Sequence, residues 1–304
     1  MNKCRKIKAG SVLGIICPSG HPRTIDEVMK FCDLLVSHGY KYKLGKSVTA
    51  VEGYLAGSDA LRAADLMNMF KDDTVDAVLC YKGGYGAQRM LPYLDFEELK
   101  KFPKLLVGFS DVTILLNTLY QFSNMPTVHG EMGVCMGNYE EFTFNHFFNM
   151  LENGFNEPLK NPTIPLNIIN DGICEGEVVG GNLSLIYTLM GTPYEIDFKD
   201  KILFIEEVNE APYAVDRMLS SLILSKKLNN LKGIICGYFT GCVSEGDQTV
   251  DELLVHYLKP LNIPFVTNFQ SGHNKPFINI PIGLKVKLDT TAKCVTVLES
   301  LFKD

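Results

Sequence analysis

Ser110 is the residue whose surroundings first suggest chemistry. It lies in Leu105-Leu106-Val107-Gly108-Phe109-Ser110-Asp111-Val112-Thr113, where an apolar run passes directly into a helical pattern. A hydroxyl at such a strand-to-helix corner is lifted out of the sheet, as in a nucleophile elbow. The free N–H groups at the helix start can then stabilise a developing oxyanion. The G-x-S-x-G pattern is incomplete, because Val112 takes its last position. The plain alternative is that Ser110 or Asp111 caps the helix, and spacing alone leans that way.

A second feature is Lys82-Gly83-Gly84-Tyr85-Gly86, directly after another apolar run. Glycines let a backbone approach a ligand closely and turn N–H groups toward it. The segment matches neither the G-x-G-x-x-G fingerprint nor a Walker loop. What marks it is its place at the carboxyl end of a parallel strand, where open sheets bind ligands.

A serine nucleophile needs a base, and the base needs an orienting carboxylate. Of six histidines, His38 and His256 fall in helical patterns and His146 in a Phe-rich helix. That leaves His21, His129 and His273, and local sequence does not choose among them. Glu206 and Glu207 end the apolar run Ile202-Leu203-Phe204-Ile205, a position from which an acid can orient an imidazole. A solvated acidic pair explains them equally well. Cys80 and Cys135 are candidate thiols, but neither stands at a strand-to-helix corner. No His/Cys cluster has zinc spacing, so neither a metal nor another cofactor is expected.

The elements that must position these residues follow from composition and periodicity. The 304 residues are 46% apolar and 21% charged, with 29 basic against 35 acidic side chains and a net charge of −6. This is a globular composition, and its length suits two modest domains or one large one. The acidic balance argues against a nucleic-acid surface. The basic run Lys3 to Lys8 precedes only a short apolar stretch ending at Pro18, with no A-x-A site after it, so it reads as a lead into a first strand rather than a signal peptide. No run approaches the roughly 20 apolar residues of a membrane span. Nine cysteines, odd in number and without a CxxC pair, indicate reduced thiols and a cytoplasmic protein.

Strand patterns at Ser11–Cys17, Val75–Tyr81 and Leu105–Phe109 alternate with helical patterns at Thr24–His38, Leu61–Phe70 and Val112–Tyr120. Near-continuous apolar strands between helices predict an open parallel sheet covered on both faces, here an α/β domain over residues 1–150. An Asn- and Pro-rich stretch without period, residues 151–171, reads as a linker. Residues 172–304 read as a β-rich second domain. Its strands lie near 175–179, 201–205, 233–236, 284–288 and 294–298, with helices near 183–190, 213–224 and 251–257.

Taken in order, these segments resemble the LD-carboxypeptidase family of serine peptidases (family S66), which includes muramoyltetrapeptide carboxypeptidases and the microcin C immunity peptidases. The resemblance is carried by Ile15-Ile16-Cys17-Pro18-Ser19-Gly20, then Gly83-Gly84-Tyr85-Gly86 with Arg89, Gly108-Phe109-Ser110-Asp111 and His129-Gly130. It continues through Gly181-Asn182-Leu183, Gly191-Thr192-Pro193, Ile202-Leu203-Phe204-Ile205-Glu206 with Tyr213, Asp216 and Arg217, Gly272-His273 and Pro281-Ile282-Gly283. It implies a flavodoxin-like first domain, a β-rich barrel-like second one, and a cleft at their junction. It also implies a triad of Ser110 as nucleophile, His273 as base and Glu206 as its orienting acid. The family usually has Glu-Asp where this chain has Glu206-Glu207. The backbone N–H groups of Asp111 and Gly84 would form the oxyanion hole. The implied substrate is a muropeptide tetrapeptide, from which cleavage of the L,D-bond releases terminal D-Ala, and the implied assembly is a homodimer. Two other readings are an immunity-type peptidase acting on aminoacyl-nucleotides and a non-catalytic muropeptide-binding module. The absence of Trp weighs against the first, since that branch stacks its nucleobase on an aromatic side chain, often Trp.

Overall fold

The computed structural model describes residues 1–243 and 248–303. The chain divides into two compact units. The first comprises residues 1–154, with Asn279–Pro281 and the C-terminal residues from Ser300 joining it. The second holds Phe155–Ile278 and Ile282–Glu299.

In the first unit the elements run β1 (Val12–Ile16), α1 (Ile25–Ser37), β2 (Lys41–Leu44), α2 (Asp59–Lys71), β3 (Ala77–Cys80), α3 (Ala87–Met90), α4 (Phe96–Leu99), β4 (Leu105–Gly108), α5 (Thr113–Ser123), β5 (Thr127–His129) and α6 (Glu141–Asn153). Each helix follows from local chemistry. In α1, Thr24 accepts a hydrogen bond from the Glu27 N–H, and Asp26 and Glu27 face the positive helix end. Its buried residues Val28, Phe31, Cys32 and Leu35 recur at helical spacing. Strands β3 and β4 are buried throughout, as expected of a sheet covered on both faces.

The strands order as β2-β1-β3-β4-β5 and pair in parallel. This is the flavodoxin-like order, whose direction reverses between β1 and β3 and leaves a ligand crevice at their carboxyl ends. The loops after these two strands meet there: the Gly20 N–H donates to the Gly83 carbonyl at 3.1 Å. The edge strand β2 was not legible in the sequence. Its pattern is exposed and half-buried in alternation, and it exists because β1 supplies its pairing partner.

The second unit contains β6 (Asn167–Asn170), β7 (Ile173–Asn182), α7 (Leu183–Leu189), β8 (Ile202–Val208), α8 (Pro212–Leu224), β9 (Gly233–Thr240), α9 (Val250–Leu258) and β10 (Phe265–Thr267). After β11 (Ile280–Ile282) come β12 (Lys285–Asp289) and β13 (Cys294–Val297). A curled, barrel-like sheet orders them β13-β12-β7-β8-β9-β10-β6. Its centre, β7 to β10, is parallel, while β12, β13 and β6 are antiparallel to their neighbours. Leu203 and Phe204 of β8, Ile234 of β9, and Val215 and Leu219 of α8 are all fully buried.

Two segments depart from the pattern read in the sequence. Within 151–171, Asn167–Asn170 forms β6, because β10 pairs with it despite its polar composition. Strand β11 lies beside β5 in the sheet of the first unit. Asn279, just before it, accepts from the Glu131 N–H through its side-chain oxygen at 3.3 Å. The C-terminal residues also return to the first unit, where the Lys303 N–H donates to the Cys4 carbonyl. Such chain-end pairings carry no local signal. Among the described residues, no helix is long and apolar enough to cross a membrane.

Candidate active site

Ser110 stands where β4 ends, as the first residue of a short 3-10 turn, Ser110–Val112, that leads into α5. Its φ is +61°, a left-handed conformation that costs an L-residue about 1–2 kcal/mol. Strain of this kind persists only where surrounding structure holds it. Neither Ser110 nor Asp111 acts as a cap, since neither the 3-10 turn nor α5 has a side-chain cap. The Asp111 carboxylate instead accepts from the Ser19 hydroxyl at 2.5 Å and from the Ala87 N–H at 2.8 Å. It is almost fully buried, and burial pushes its pKa up against the opposing pull of these donors and of Arg62. One buried acid thus ties the β1 loop, the start of α3 and the Ser110 turn together.

The glycine loop sits directly against that turn. A Cβ placed on Gly83 would lie 3.2 Å from the Ser110 Cβ and 3.4 Å from its hydroxyl oxygen. Gly84 and Gly86 both have positive φ, at +119° and +124°. Arg62, on α2, holds the loop from behind. Its buried guanidinium donates to the carbonyls of Gly86 (2.8 Å), Gly57 (3.3 Å) and Pro18, and pairs with Asp59. Sequence reasoning passed over Arg62. The available signal was a charged residue on the face of α2 that also buries Ala63, Leu66, Met69 and Phe70.

In the second unit, His273 and Glu206 are paired. The His273 Nδ1 lies 2.7 Å from Glu206 Oε2, with the acid fully buried and the imidazole 18% exposed. The other carboxylate oxygen, Oε1, has no hydrogen-bond partner among the described residues. The pair is set by β8, which carries Glu206, and by the Gly272 backbone, whose φ is +118°. A Cβ on Gly272 would lie 2.8 Å from Glu206 Oε2 and 2.9 Å from Glu206 Cβ, so only glycine lets the loop lie this close.

Glu207, the other acid of the sequence pair, is buried in a different set of bonds. It accepts from the Asn182 amide (2.8 Å), the Ser184 N–H and hydroxyl (2.7 Å each) and the Val208 N–H (2.8 Å). Burial raises its pKa and these donors lower it. The two neighbours therefore differ in job. Glu206 holds an imidazole, and Glu207 fastens the start of α7 to β8.

The remaining candidates lie elsewhere in their units. His129 ends β5 fully buried, its ring 5.7 Å from that of Phe109. His21 places its Nδ1 2.7 Å from the Pro22 carbonyl, and its own carbonyl accepts from Lys82. His146 is bonded to Asn279, and burial lowers its pKa to about 4. Cys80 is buried, and burial raises its thiol well above the usual value, the opposite of an activated nucleophile. No disulfide joins any two cysteines among the described residues. Among the described residues, no three His, Cys, Asp or Glu side chains gather as a metal site requires.

Comparison with known proteins agrees with this architecture. Residues 13–130 match the LD-carboxypeptidase N-terminal domain, and residues 175–288 match the LD-carboxypeptidase C-terminal domain. A probable murein peptide carboxypeptidase of Bacillus subtilis (strain 168) is 36% identical over 306 residues, covering 97% of this chain and 94% of its own. A muramoyltetrapeptide carboxypeptidase from Oxalobacter formigenes superposes with a TM-score of 0.79 at 28% identity, over 94% of this chain and 97% of that one. MccF in complex with glutamyl sulfamoyl guanosine superposes with a TM-score of 0.90 at 21% identity, over the whole of both chains, which is a likeness of fold. The chain belongs to the LD-carboxypeptidase (S66) family.

Proposed function

We propose that the chain is a serine-type LD-carboxypeptidase that releases terminal D-Ala from muropeptide tetrapeptides. The observation that carries this reading is the His273–Glu206 bond, an imidazole held at Nδ1 by a buried carboxylate. The relatives named for murein peptides and muramoyltetrapeptides support the substrate class.

In this reading Ser110 is the nucleophile. With Nδ1 held by Glu206, the serine proton goes to the Nε2 of His273. The Ser110 oxygen attacks the carbonyl of the residue before D-Ala, and the resulting oxyanion accepts from the backbone N–H groups of Asp111 and Gly84. The proton on Nε2 passes to the departing amine of D-Ala as the C–N bond breaks. Water then gives a proton to His273 and its oxygen to the acyl carbon, and that proton passes on to the Ser110 oxygen as the ester C–O bond breaks, which frees Ser110. Glu206, with one oxygen on His273, stabilises the imidazolium formed in both halves. The strained turn and the Asp111 and Arg62 bonds keep the hydroxyl and the glycine loop fixed. The protein is proposed to act as a cytoplasmic homodimer, and light scattering on an eluting peak would read its mass.

The test is release of D-Ala from L-Ala-γ-D-Glu-meso-diaminopimelate-D-Ala, followed by mass spectrometry, with Ser110→Ala beside the wild type. An aminoacyl sulfamoyl adenosine runs in parallel. Loss of at least about 10³-fold in kcat is expected for Ser110→Ala. Turnover that survives in Ser110→Ala would refute the mechanism. Cleavage of the adenylate alone would move the protein to the immunity branch, and binding of the tetrapeptide without cleavage would make it a binding module.

A further inference from the structure

Two exposed tyrosines flank the glycine loop, and the proposed chemistry uses neither. Tyr85 belongs to the loop and is 50% exposed; Tyr54 is 64% exposed. Their ring centroids lie 5.9 Å apart at 59°. Tyr54 is held rather than loose: it sits in a tight turn in which Glu52 and Leu55 exchange N–H···O bonds of 2.9 and 3.0 Å. Leu55 bridges to Gly20, and the Ala56 N–H donates to the Ser19 carbonyl. Arg89, in α3 and four residues after Tyr85, is fixed to Asp59 at 3.0 Å. Asp59 in turn pairs with the buried Arg62.

We propose that Tyr54 and Tyr85, together with Arg89, form a saccharide-binding platform that receives the sugar end of a glycan-linked peptide. This rests on the proposed function for its substrate class. The ring faces are electron-rich, and the C–H groups on the apolar face of a pyranose carry the complementary partial charge. Phenol hydroxyls and a guanidinium then meet the hydroxyl and acetamido groups at the sugar edge. A tyrosine loses little conformational freedom on binding, and a pre-positioned one less still.

The spacing fits. Three residues separate the sugar from the scissile bond, a span of about 10 Å for an extended chain. Gly83 abuts Ser110, and Tyr85 is two residues further, at most about 7.6 Å by Cα steps, with its ring beyond that. A sugar carried by a peptide seated on Ser110 would therefore reach this pair.

The experiment needs no catalysis. The disaccharide N-acetylglucosaminyl-1,6-anhydro-N-acetylmuramic acid, without peptide, is titrated into the full chain by saturation-transfer NMR and calorimetry. Saturation transfer to the sugar C–H protons is expected. Affinity should fall about tenfold in Tyr54→Ala and return in Tyr54→Trp, in line with the worth of one aromatic contact. In parallel, kcat/KM for the disaccharide-tetrapeptide is divided by that for the free tetrapeptide, and Tyr54→Ala should lower this ratio about tenfold. An unchanged disaccharide affinity and ratio in Tyr54→Ala would overturn the proposal. So would tighter binding of adenosine monophosphate than of the disaccharide at the pair, or a loss of oligomer in Tyr54→Ala with sugar binding intact. Sugar binding that depends on Tyr54 in a chain that never releases D-Ala would leave the platform standing and remove the peptidase reading.

Discussion

Gly272→Ala tests whether the imidazole–carboxylate geometry is as tightly determined as the packing indicates. The new Cβ would lie 2.8 Å from Glu206 Oε2 and 2.9 Å from Glu206 Cβ, against an ordinary contact from 3.4 Å, an overlap of 0.6 and 0.5 Å. The carboxylate oxygen alone could swing aside, but the Glu206 Cβ is fixed to β8, and Glu206 has no exposed surface to move into. Either the Gly272 loop retreats or the acid turns, and both lengthen the 2.7 Å bond to His273. The backbone adds its own cost, since a φ of +118° is strained for alanine by about 1–3 kcal/mol. At about 2–4 °C per kcal/mol for a unit of this size, strain alone lowers Tm by about 2–12 °C. A misplacement approaching 1 Å costs about 10²-fold in rate. The expected result is a kcat for D-Ala release about 10²-fold lower with a modest change in KM. Gly191→Ala is the control, because Gly191 is also at positive φ (+73°) but has nothing within 4 Å of its Cβ position. It should lose stability and keep kcat. A Gly272→Ala enzyme as fast as Gly191→Ala would refute the reasoning.

Three further outcomes are expected. Glu206→Gln should lower kcat by about 10²–10⁴ with Tm nearly unchanged, whereas Glu207→Gln should lose about 1–3 kcal/mol of stability and keep kcat within several-fold; an inactive but fully stable Glu207→Gln would exchange their roles. Arg62→Met leaves the Pro18, Gly57 and Gly86 carbonyls and Asp59 without their buried donor and should cost about 3–5 kcal/mol in urea unfolding; a loss below about 1 kcal/mol would mean the network is not holding the loop. His146 has its pKa depressed from 6.5 to about 4 by burial, so as pH falls the unfolded chain takes the proton first. Stability from this group is complete above about pH 6.5 and is lost toward pH 4, by at most about 3 kcal/mol. Urea unfolding at pH 7 and 4.5 should show this loss in the wild type and not in His146→Phe, and an equal acid loss in both would refute it.

Much of the first unit was legible because β1, β3 and β4 are continuous apolar runs and its longer helices carry helical spacing, with side-chain caps on α1, α2 and α6. The corner at Ser110 was visible for the same reason, as an apolar strand running straight into a helix. Strands β2, β6, β10 and β11 were not, since short or polar segments become strands only when a neighbour offers its edge. The spacing of Glu206 and Glu207 likewise left their tasks undivided, and only the family resemblance pointed to Glu206 as the partner of His273.

The sequence by itself determined the strand–helix alternation of an open parallel sheet, the Ser110 turn, the glycine loop and, through ordered motifs, the family. Tertiary structure alone decided that Glu207 fastens the start of α7 to β8, and that Asp111 is a buried tie rather than a cap. It also decided that Arg62 braces the glycine loop and that residues 279–281 and the C-terminal residues belong with the first unit. The physical reason is common to all four. Each depends on which side chain or strand edge a group meets across long chain separations, and hydrogen bonding between such partners has no period in the sequence from which it can be read.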